Sequence, residues 1–243
     1  MSDELANPLG EIWVYLSATP LLWLTATLAA YLIGFTLFER LRRNPVVQPV
    51  AVAVAILVVV LLASGTDYDT YFDGAQFVHF LLGPATVALA VPLYAQAKRV
   101  KRSLLPMAAA LLAGSFTAAA SALAIALMLG ASRESILSLA PKSVTTPVAM
   151  GIAEKIGGLP SLTAVLVILT GIVGAMTATP LLNLLGLKDH AARGFAVGVA
   201  SHGIGTARAF QVSELAGAFA GIAMGLNALA TAIIVPLLVR VLG

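Results

Sequence analysis

The chain has 243 residues, 60% of them apolar and only 10% charged, and its mean hydropathy is +0.98. A water-soluble domain carries roughly 25% charged residues, so these values exclude one and describe an all-α, polytopic membrane protein whose solvent is lipid. Cysteine is absent, which excludes disulfides, Fe–S clusters and thiolate metal sites. The isoelectric point near 9.4 does not point to nucleic acid, because the basic residues lie in short clusters beside apolar runs, where they control topology.

The amino-terminal stretch MSDELANPLGE is acidic and lacks the basic region of a cleaved signal peptide. Residues 20–38 and 46–63 read as uninterrupted spans, separated by ERLRRN with Arg40, Arg42 and Arg43. GTDYDTYFDG then reads as an acidic surface loop with Asp67, Asp69 and Asp73, and its aromatics Tyr68, Tyr71 and Phe72 suit an interfacial belt. The next apolar segment, 76–97, is interrupted at Gly83-Pro84 and at Pro92; with Thr86 it reads as a packing and cavity wall. Lys98, Arg99, Lys101 and Arg102 precede a clean span over 104–129. After SRES comes LAPKSVTTPVAMGIAEKIGG, residues 139–158, and then a span over 161–185. LKDHAAR leads into a polar, glycine-rich segment, 194–211, and the chain continues in a span over 215–241.

Lys and Arg gather on the cytoplasmic side of short loops. If every segment crosses, eight loop cations fall inside and four outside; if 137–155 is a re-entrant hairpin, ten fall inside and only Arg133 and Lys155 outside. The hairpin arrangement fits better. It makes residues 46–130 a three-crossing unit with an interrupted middle span, and 161–242 the same order inverted, about seven crossings in all. Inverted units with interrupted helices are a plan of secondary transporters, which bind substrate at the breaks near the midplane. The alternative is an ordinary bundle with proline kinks. Either way a single transmembrane domain, 1–243, is expected.

A lysine at the centre of a membrane helix costs roughly 2.5–3.5 kcal/mol, so Lys142 requires a cavity, a partner charge or a substrate. Pro141 and Pro147 cannot both lie inside one helix, and the chain must break between them. Broken backbone at membrane depth has to line a cavity or be buried in protein. Ser143, Thr145 and Thr146 supply hydroxyls there, and a helix resuming at Pro147 offers its free N–H groups to an anion. The set describes a carboxylate or phosphate cradle; snorkelling of Lys142 to an interface is the alternative.

The second polar set is ASHGIGTARAFQ. Gly203 and Gly205 mark a small-residue break, flanked by Ser201, His202, Thr206, Arg208 and Gln211. Arg208 offers a planar fork to a carboxylate, or else pairs with Glu154 or Glu214. His202 could relay protons or be a satisfied core histidine. There is no metal-ligand spacing, no nucleophile motif and no cofactor signature, so an enzyme is not expected. Small residues four apart, Gly171 with Ala175, Gly217 with Gly221 and Gly221 with Gly225, allow close helix packing. They are read either as packing within one chain or as part of a homodimer that moves its interrupted-helix unit against a fixed scaffold.

The segments PKSVTTPVAMGIAEKIGGLPSLTAV, LTGIVGA and AARGFAVGVASHGIGTARA, with SGTDYDTYFDGA and GPATVALAVPLY, resemble the signatures of the LrgB/CidB family from about residue 40 onward. The resemblance implies a multi-pass protein of the bacterial inner (plasma) membrane. It implies antiholin-like control of murein hydrolases and lysis, with a small LrgA/CidA-type membrane partner. It also implies a relation to the membrane part of the plastidic glycolate/glycerate translocator and a link to pyruvate-like acids. Two functions follow: secondary transport of small monocarboxylates, which Lys142 and Arg208 favour, and a holin-like pore or its regulator, which the family label favours.

Overall fold

The computed structural model describes residues 20–81, 84, 87, 88 and 90–241; Gly83 and Thr86 of the first interrupted segment lie outside these. Among the described residues there are helices and no strands. The chain forms two compact units, Met1–Ala88 and Leu89–Gly243.

The first unit holds α1 (Pro20–Arg40), α2 (Pro49–Ser64) and α3 (Tyr68–Phe80). Helix α2 starts where the Gln48 side chain accepts from the Ala51 N–H at 2.8 Å, with Pro49 in the first turn where its missing N–H costs nothing. It stops at Gly65, whose φ of 65° is the left-handed conformation that favours glycine at a helix end. Helix α1 packs on both others through glycines: a Cβ on Gly34 would lie 2.6 Å from the Pro49 carbonyl oxygen, and one on Gly74 would lie 2.7 Å from Trp23 Cβ. Trp23, 1% exposed, meets Tyr71 edge-on at 5.9 Å. The acidic stretch expected as a surface loop is instead the start of α3. The Asp67 carboxylate accepts from the Thr70 N–H at 2.7 Å, an N-cap bond that turns the loop into a helix.

The second unit runs α4 (Ala90–Ala95), α5 (Ala97–Arg102), α6 (Leu104–Met128), α7 (Arg133–Leu139), α8 (Thr146–Ile156), α9 (Pro160–Leu184), α10 (His190–Val212) and α11 (Glu214–Val241). Helices α10 and α11 form a hairpin joined at Ser213. Their seam is backbone against backbone: a Cβ on Gly194 would lie 2.6 Å from the Ala216 carbonyl carbon, and one on Gly198 would lie 2.8 Å from that of Ala220. Helix α9 flanks α10, and α6 packs on α11 and α10. A core of Leu123, Ile136, Val144, Ile152, Val167 and Val235 joins α6, α7, α8, α9 and α11 around the 140–145 break.

Among the described residues four helices are long and apolar enough to cross a membrane: α1, α6, α9 and α11, of 21, 25, 25 and 28 residues. About 20 residues suffice for a hydrocarbon layer of about 30 Å. Leu169, Val173, Leu229 and Ile233 stand on their outer faces more than half exposed, as lipid contact requires. Helix α2 is apolar but has only 16 residues, about 24 Å at 1.5 Å per residue. Helix α10 is long enough but polar and kinked.

Candidate functional site

The expected chain break lies between α7 and α8, at residues 140–145, and holds Pro141, Lys142 and Ser143. Neither flanking helix could span a bilayer, at 7 and 11 residues, and the chain returns to its starting point. The Ser138 hydroxyl accepts from the Leu159 N–H at 2.8 Å and donates to the Glu134 carbonyl at 2.6 Å. The Ser138 carbonyl accepts from Thr163 Oγ1 at 3.0 Å. Residues 139–158 are therefore an out-and-back excursion from one stitched point. At its tip Lys142 is half-buried, its Nζ 3.4 Å from Ser143 Oγ. The ion pairs between described residues are Arg43–Glu39 and Arg99–Asp189, so no described carboxylate neutralises Lys142. Thr145 is the N-cap residue of α8, yet its side chain makes no capping bond. Thr146, half-buried, opens the helix, and Pro147 follows it.

The second break is a kink inside α10, at Ser201 (φ −132°, ψ 16°) and His202 (φ 40°, ψ −135°). The His202 dihedrals are those of the first central residue of a type II′ turn, a position that glycine normally fills. A histidine held there stores backbone strain, and such strain gathers where structure around it over-determines the conformation. What holds it is α9. His202 Nε2 lies 2.9 Å from the Val167 carbonyl, and a Cβ on Gly171 would sit 2.6 Å from His202 Cε1. Likewise Gly174 leaves room for Ser201, whose Cβ is 2.6 Å from where a Gly174 Cβ would stand. Thr206 Oγ1 donates to the His202 carbonyl at 2.8 Å, and Gly205 lies back against Ser201 across the kink. Gly203 is half-buried, with Met224 Sδ 3.9 Å from a Cβ position on it.

The two breaks belong to one polar cluster. A residue that the sequence reading passed over links them: Asn227 of α11, fully buried, donates from Nδ2 to the Ser143 carbonyl at 3.1 Å and to the Val199 carbonyl at 2.9 Å. Its signal was available, as a lone carboxamide in the apolar run GLNALAT. Ser115 Oγ and Thr231 Oγ1 donate to its Oδ1.

Arg208 lies elsewhere. It lines a small cavity with Ala178, Leu182, Arg193, Val197 and Ala216, to which Lys142 does not contribute, and its Nη1 donates to Gln211 Oε1 at 3.1 Å. Two of the small-residue positions are filled from within the chain: Gly171 by His202 and Gly217 by Phe210. Among the described residues no group of three His, Asp or Glu could hold a metal.

Four helices among the described residues long and apolar enough to cross a membrane, with two polar breaks, make this a polytopic membrane protein. The chain belongs to the LrgB-like family, which it matches over residues 27–241. It is 36% identical to protein YxaC of Bacillus subtilis over 213 residues, 88% of this chain and 92% of that one. It is 31% identical to the holin-like protein CidB of Staphylococcus epidermidis, over 93% of this chain and 97% of that one. With the antiholin-like protein LrgB of Bacillus cereus the identity is 29%, over 93% and 98%. No solved structure matches the chain.

Proposed function

We propose that the protein acts as a holin- or antiholin-like membrane component, setting the permeability of the inner membrane and through it murein hydrolase activity and lysis. The observation that carries this is near full-length similarity to proteins named holin-like CidB and antiholin-like LrgB. A small LrgA/CidA-type membrane protein is the expected partner. The test is a strain lacking the gene, complemented by wild type or by Lys142→Met, scored for lysis rate and murein hydrolase activity. If deletion changes neither, this reading is wrong.

One observation favours a second reading, secondary transport of a small monocarboxylate such as glycolate, glycerate or pyruvate without enzymatic chemistry. Lys142 has no described carboxylate partner and stands at a helix break beside Ser143 and the start of α8. A pore wall has no need of a cation there, whereas a carboxylate leaving water does. In this reading residues 137–155 re-enter the membrane and 46–130 and 161–242 are inverted units, giving about seven crossings in one domain. The unit with the breaks then moves within a homodimer. Proteoliposomes offered external labelled glycolate, pyruvate, or D- and L-glycerate separate the readings. Saturable, stereoselective uptake that Lys142→Met abolishes supports transport, and nonselective leakage supports the first reading.

A further inference from the structure

We propose that Asn227 is the positioning residue that holds the two helix breaks together, standing in for a backbone donor at each. The assignment rests on hydrogen bonds and does not depend on which functional reading holds. A carboxamide has two N–H donors and an oxygen that accepts twice. At Asn227 all four capacities are used: Nδ2 on the Ser143 and Val199 carbonyls, Oδ1 by Ser115 and Thr231. The orientation is fixed, because a flipped amide would set its oxygen against two carbonyl oxygens.

Both carbonyls belong to breaks. Ser143 lies in the segment between α7 and α8, where no helix continues to supply an N–H. Val199 lies four residues before Gly203, the pair that would share a bond in a continuous helix, and the non-helical residues Ser201 and His202 fall between them. At membrane depth no water replaces a missing donor. One side chain on an unbroken helix therefore closes both openings. Lys142 is the peptide neighbour of Ser143, and His202 follows Val199 by three residues, so Asn227 also sets where both polar groups stand.

The experiment is hydrogen exchange of the full chain in lipid nanodiscs, read peptide by peptide, for wild type and Asn227→Leu, which keeps the branched shape of the side chain and removes both donors. Exchange should rise in 140–149 and in 199–206 together, by roughly three- to thirty-fold, the range for membrane hydrogen bonds worth about 0.6–2 kcal/mol. Residues 104–112, which share no bond with Asn227, should not change. A rise in only one segment, or an equal rise throughout 89–241, would overturn the assignment. If Asn227→Leu does not fold, Ser115→Ala with Thr231→Val removes both bonds that aim the amide and should give a smaller rise in the same two segments. No rise in either segment would overturn it equally.

Discussion

Replacing Gly194 by alanine adds a single methyl to the seam between α10 and α11. That methyl would lie 2.6 Å from the Ala216 carbonyl carbon and closer still to its oxygen. Ordinary contact begins at 3.4 Å, so the two backbones must part by at least about 0.8 Å. A gap of 0.5–1 Å forfeits a quarter to a half of each dispersion contact along the seam. The obstruction is backbone in both helices, not a side chain able to swing away, and lipid offers no hydrophobic drive to hold the pair together. The expected cost is about 2–3 kcal/mol, in the upper part of the overpacking range. Gly198→Ala, which meets Ala220 the same way, should behave alike. Gly151→Ala in α8 is the control of opposite sign: nothing lies within 4 Å of its Cβ position. That substitution should stabilise by up to about 1 kcal/mol through lost chain entropy. The assay is SDS titration in mixed micelles, followed by helical circular dichroism. If Gly194→Ala unfolds with the wild type, the seam is not backbone on backbone and the tight α10–α11 pairing is refuted.

His202→Gly should be more stable than His202→Ala by about 1–2 kcal/mol, because both lose the bond to Val167 but only glycine takes a φ of 40° without strain; equal stabilities would show that the kink is unstrained. Asp189 caps α10 by accepting from the Ala192 N–H at 2.8 Å and pairs with Arg99 at 3.0 Å. The Ala192 N–H, with help from Arg99, holds its carboxyl below the ordinary 3.8. A lowered carboxylate stabilises at pH values above 3.8, and the contribution fades as pH falls through the lower folded value. Asp189→Ala should thus cost about 1 kcal/mol at neutral pH, Asp189→Asn only a few tenths since asparagine also caps, and in melts near pH 3 the gap between wild type and Asp189→Ala should shrink.

The broken element was legible because proline chemistry is local: Pro141 and Pro147 forbid a continuous helix whatever surrounds them. The α10 break was legible in place, from Gly203 and Gly205, but not in form, since the strained residue is His202, next to the glycine. Proximity in sequence put Arg208 and His202 in one polar run, while beyond the kink Arg208 lines a small cavity beside Arg193. Asn227 went unread because charge was taken as the mark of a site. An uncharged carboxamide in an apolar run looks tolerable alone, and its importance shows only when two distant carbonyls meet it. The glycines of α9 were read for their spacing, but what they accommodate is the side chains of α10, information that lies in the fold.

The stitch at Ser138 has a consequence for how such a protein changes over time. Because the excursion leaves and returns at one bonded point, where Ser138 meets Leu159 and Thr163, its mouth is held by α7 and the start of α9.

 The tip is held apart from that mouth by Asn227 and by its own short turns. Scaffold and tip thus answer to different constraints. Residues at the mouth answer to the packing of the helices, while the side chains at 142, 143, 145 and 146 can be exchanged without reopening the stitch. A family built on this plan can alter the side chains at its breaks and leave its helix packing intact.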